Sequence, residues 1–90
     1  VKIELQNTQL SGQRPGRTVN CHEDDGAEIL MVNVEVAWDS ANLVCTLTVE
    51  HSSRKWPDGF PLYASGHSEQ EAAEALVDIF LAAHGETPPA

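Results

Sequence analysis

Cys21-His22-Glu23-Asp24-Asp25 places five metal-ligand types in one run. A structural zinc ion needs Cys or His pairs two to four residues apart, with a second pair elsewhere, because its tetrahedral shell is approached from several directions. Adjacent residues do not converge in that way. A calcium loop would need acids at alternate positions and a distant glutamate, and no D-x-D-x-D-G is present. The run reads as a solvated acidic turn, and no metal is expected. His22, His51, His67 and His84 could act as acids or bases only with a partner in hydrogen-bond reach. The hydroxyls nearest His67 in sequence are those of Ser65 and Ser68, and Ser68 has a capping role of its own. No G-x-S-x-G nucleophile turn is present. Gly12 and Gly16 stand outside any phosphate-cradling pattern. The expectation is a protein that is not an enzyme and carries no cofactor.

What the chain carries instead is charge. Its formal charge is −9 over 90 residues. The five bases occupy three places: Lys2, the Arg14/Arg17 loop and the Arg54/Lys55 pair. Six acids and no Lys or Arg follow Lys55, and seven acids and no base lie between Thr18 and Ser53. Such a field repels nucleic acid and anionic membrane and attracts a basic protein surface. The expected partner is therefore a protein with a basic surface, with neither direct nucleic acid nor membrane.

Composition, at 41% hydrophobic and 21% charged, is that of an ordinary folded domain. Ninety residues suit one domain, expected over 1–85 with a frayed tail at 86–90. No apolar run is long enough to span a membrane, no secretory leader is visible, and a cytoplasmic location is expected. Cys21 and Cys45 lack CxxC spacing. Cys45 reads as a small buried hydrophobe, and nothing in the spacing decides whether the two are bonded.

The elements that must position these residues follow from periodicity. Val1, Ile3 and Leu5 alternate with Lys2, Glu4 and Gln6, a half-buried strand. Ser11 to Gly16 is a loop, and Arg17 to Cys21 a short edge strand. From Ala27 to Trp38, Leu30, Val32, Val34, Val36 and Trp38 share one parity. The start of this run is apolar on both parities, which predicts cover on both faces. Asp39 to Asn42 is a turn, and Leu43, Cys45, Leu47 and Val49 then point inward, completing a hairpin. Trp56-Pro57-Asp58-Gly59 is a turn. A last strand has Phe60, Leu62 and Ala64 on one side, with Pro61 at its start or on an edge.

Ser68 followed three residues later by Glu71 is a capping box, and it opens a helix. Gly85 and Pro88-Pro89 mark the expected stop. His84 in the last turn suits the helix dipole. On a helical wheel Ala72, Ala73, Leu76, Ile79, Phe80 and Ala83 form the core stripe, and Glu71, Glu74 and Asp78 the opposite acidic one. Val77 and Leu81 lie between them, as core rim or as partner contact. Trp56, beside Arg54 and Lys55, is either an interface anchor or a lid folded over a sheet edge or helix end. The fold expected is α+β: a three- to four-stranded antiparallel sheet with one C-terminal helix packed on one face.

The segment Phe60-Pro61-Leu62-Tyr63-Ala64-Ser65-Gly66-His67-Ser68-Glu69-Gln70-Glu71-Ala72-Ala73 resembles the strand, turn and helix of HicB-type antitoxins. That family's DNA-binding tail has no counterpart after Gly85. Small acidic phage-encoded inhibitors, including anti-CRISPR proteins, are similar in size and charge. The charge of −9 and the uninterrupted acidic helix face point to a binding module that occupies a basic surface of another protein, such as a nucleic-acid-binding surface, in the manner of an antitoxin-like or anti-CRISPR-type inhibitor. The expected contact set is Glu71, Glu74 and Asp78, with Trp56, Val77 and Leu81 as apolar anchors. The alternative is a structural or assembly subunit that forms a homodimer or larger homo-oligomer through its sheet edges.

Overall fold

The computed structural model describes residues 1–83. Five strands follow one another in a single antiparallel sheet: β1 (Lys2–Gln9), β2 (Pro15–His22), β3 (Glu28–Asp39), β4 (Val44–Ser52) and β5 (Tyr63–Gly66). One helix, α1 (Glu69–Ala83), packs on one face. The α+β class and the C-terminal helix agree with the sequence. The strand count does not, being five rather than three to four.

The difference lies in β2, which is a full member of the sheet. Residues 17–21, expected at an edge, belong to an eight-residue interior strand paired with β1 and β3. Pro15 begins that strand, a position where its missing N–H is tolerated. Gly16 lets the hairpin loop close: a β-carbon there would meet Leu10 Cγ at 2.6 Å and the Val34 carbonyl oxygen at 2.7 Å. The last strand is shorter than expected. It begins at Tyr63 and leaves Phe60 and Leu62 exposed.

Strand alternation delivers the core. Across the ladder Leu5 faces Val19 and Val19 faces Val32; Cys21 faces Leu30; Val36 faces Leu47 and Leu47 faces Ala64. Each fully buried side chain of this size stabilises by about 1.5–3 kcal/mol. The expected cover on both faces of early β3 is absent, since Met31 on the outer face is exposed. Ile29 instead falls at a register shift, where Cys21 pairs with Leu30 and His22 with Glu28, and it packs against the core.

Ser68 caps α1 through a 3.1 Å hydrogen bond from the Glu71 amide to its hydroxyl. His84, Gly85 and the tail at 86–90 lie outside the described residues. The buried face of α1 comprises Ala72, Ala73, Leu76, Val77, Phe80 and Leu81. It is rotated from the expected stripe toward Val77 and Leu81, and Ile79 and Ala83 are only half-buried. In this position α1 touches both edge strands, β1 and β5, as well as β4. Gln70 Nε2 donates to the Ile3 carbonyl of β1 at 3.0 Å. Val77 and Leu81 share that side of the helix with Gln70.

Candidate protein-binding surface

Two ion-pair clasps tie the basic residues to the protein's own acids. The Arg14 guanidinium donates from Nη2 to both oxygens of Glu50, at 2.6 and 2.8 Å, and from Nη1 to Glu35 at 3.1 Å. Glu50 is available because it is the extra residue of a bulge: Asn33 pairs with His51 while Val34 pairs with Val49. Arg17 Nε donates to Glu69 at 2.8 Å, joining β2 to the first turn of α1. Arg54 lies over the Phe80 ring, 5.0 Å from its centre, and Lys55 Nζ stands 3.9 Å from Asp58.

Glu71, Glu74 and Asp78 are exposed along the solvent side of α1, and none has an ion-pair partner among the described residues. Here the predicted acidic stripe is present as a surface. The three predicted apolar anchors are placed differently. Val77 is 1% exposed and Leu81 4%, so both belong to the core and cannot reach a partner in the folded chain. Trp56 folds back on the helix: its ring centre is 5.3 Å from that of Phe80, and its Nε1 donates to the Pro61 carbonyl at 3.0 Å. It is the lid of the two readings, half-buried and satisfied.

Comparison with protein-family models, curated proteins and solved structures finds no match to this chain. The likeness to HicB-type antitoxins therefore stands on the sequence resemblance alone.

The remaining candidates for chemistry are dispersed. Cys21 is buried and Asp24 lies 3.4 Å from the Val1 ammonium. Asp25 accepts from the Ala27 amide, and His22 Nδ1 lies 3.1 Å from the Glu23 carbonyl oxygen. His22 Nε2 is 3.4 Å from Glu4 on the outer face. There a shallow open hollow of about 280 Å³ is lined by Glu4, Gln6, Asn20, His22 and Glu28, among others. His67 Nδ1 contacts the Leu43 carbonyl oxygen at 3.0 Å. Cys45 is buried and unbonded, and its thiol is pushed up by desolvation and then by Glu69, with Arg17 opposing. No helix of the described residues is long and apolar enough to cross a membrane.

Strand periodicity misses two exposed apolar residues, Trp38 near the end of β3 and Leu43 as the last residue of the β3–β4 turn. Strand parity groups Trp38 with Leu30, Val32, Val34 and Val36, and points Leu43 inward with Cys45 and Leu47. The signal that points to them is position, since each stands at the turn end of its alternating run.

Proposed function

We propose that this protein is a small acidic binding module whose α1 stripe of Glu71, Glu74 and Asp78 occupies a basic surface of a partner protein. An antitoxin-like or anti-CRISPR-type inhibitor that covers a nucleic-acid-binding surface fits this description. The observation that carries the reading is the contrast between clasped bases and unpaired acids. Arg14 and Arg17 are closed onto Glu35, Glu50 and Glu69, whereas Glu71, Glu74 and Asp78 face solvent. A surface of one sign speeds encounter with its complement and selects against like-charged partners.

The test is partner capture under a salt series. Capture by the native chain should weaken as salt rises, because exposed charges are screened within about 10 Å at 0.1 M. A variant with Glu71→Lys, Glu74→Lys and Asp78→Lys should lose it. Equal capture by both proteins sinks the proposal.

One observation favours the assembly reading. Phe60, Leu62 and Tyr63 are exposed beside β5, a sheet edge. An apolar edge invites strand pairing with a second copy. Light scattering at rising concentration separates the two, because a persistent monomer removes the homo-oligomer.

A further inference from the structure

With Val77 and Leu81 in the core and Trp56 folded on Phe80, the acidic stripe lacks the apolar contacts that give an interface most of its energy. Trp38 and Leu43 are placed to supply them. Trp38 is 54% exposed and Leu43 67%. Trp38 pairs directly with Cys45, and Cys45 with Gly66. Gly66 in turn lies against the first turn of α1, where a β-carbon on it would meet Glu71 Cβ at 2.7 Å. The Leu43 carbonyl contacts His67, which leads into the helix. Both apolar side chains therefore belong to the end of the molecule where the acidic stripe begins.

Leu43 also breaks a local rule. Its φ is +55°, the left-handed region suited to Gly or Asn. A leucine there is strained, because its β-carbon crowds the following carbonyl oxygen. With two-thirds of its surface in water it offsets little of that strain by burial. Such a choice is explained where the side chain works outside the fold.

We propose that Trp38 and Leu43 are the apolar anchors of the partner contact, and that they take a protein surface presenting an apolar side chain ringed by arginine or lysine. This rests on the reading of the Glu71, Glu74 and Asp78 stripe as a binding surface. Charge complementarity identifies the occupant. Asp39 closes β3 at the turn, Glu71 and Glu74 are exposed on α1, and Arg17 is closed onto Glu69.

The test uses two short arginine–glycine peptides of equal charge, one with a central leucine and one with serine there. Each is titrated into the ¹⁵N-labelled protein. The leucine peptide should bind about tenfold more tightly, about 1.4 kcal/mol, and shift the Trp38 indole and Leu43 amide signals together with those of Glu71 and Glu74. Trp38→Ser with Leu43→Asn should bind both peptides with the affinity of the serine peptide. Leu43→Gly should unfold at higher temperature than the native chain and still lose part of the preference, which separates binding from folding. If the native chain binds both peptides equally, in a salt-dependent way that needs Glu71, Glu74 and Asp78, the anchor assignment is overturned and the acidic-stripe reading stands. Failure of both peptides to bind overturns the two together. A concentration-dependent dimer in sedimentation, abolished by the Trp38/Leu43 double variant, assigns the patch to a second copy and overturns the basic-partner proposal.

Discussion

Gly66 in β5 lies so close to the first turn of α1 that a β-carbon on it would sit 2.7 Å from the Ala72 amide nitrogen. The neighbour is helix backbone, which cannot turn aside as a flexible side chain could. Gly66→Ala should therefore destabilise by about 1–3 kcal/mol, the range for overpacking. Thermal unfolding should show a fall of about 4–8 °C per kcal/mol for a chain of this size. An unchanged midpoint would show that strand and helix separate freely there.

The Arg17–Glu69 pair joins β2 to the start of α1. Both side chains are about two-thirds or more withdrawn from solvent. A double-mutant cycle with Arg17→Met and Glu69→Gln should give a coupling of about 1 kcal/mol, above the median for exposed pairs. Urea unfolding of the four proteins measures it, and a coupling near zero would make the contact incidental.

Asp39 organises the β3–β4 turn. Its Oδ2 accepts from the Asn42 side-chain amide at 2.8 Å, and its Oδ1 from the Asn42 and Ala41 backbone amides at 3.2 and 3.0 Å. These bonds, the Asn42 side chain first, hold its carboxyl below the ordinary carboxylate range. The folded value is depressed, so the contribution to stability is complete above the unfolded value of about 3.9. It is lost as pH falls through the folded value, which lies lower still. The carboxyl carbon resonance of Asp39 should titrate below that of a turn-free peptide, and Asn42→Ala should move it back upward.

Trp56 covers Phe80 instead of reaching outward. Trp56→Ala should destabilise by about 2–3 kcal/mol, somewhat less than a fully buried aromatic. Trp56→Phe should keep most of the ring packing and lose the bond to the Pro61 carbonyl, about 1 kcal/mol. A surface anchor would behave otherwise: Trp56→Ala would leave the denaturation midpoint where it is and weaken only partner binding.

Local rules, which act between neighbours in the chain, made much of this molecule legible. Alternation marks Ile3 and Leu5 in β1, Val32 and Val34 in β3, and Cys45 and Leu47 in β4, because successive side chains leave opposite sides of a strand. Ser68 and Glu71 announce the start of α1 because a hydroxyl can satisfy an amide that the helix leaves open. The Glu71, Glu74 and Asp78 stripe is equally local, being a repeat of 3.6 residues. Contacts between distant residues decided the rest. Parity assigns Trp38 to the inner face, but only the placement of α1 determines that nothing covers it there. The docking of α1 against both β1 and β5 buries Val77 and Leu81, and Trp56 folds back over Phe80. The ladder makes β2 an interior strand, since strand pairing depends on hydrogen bonds between segments and not on the composition of either one.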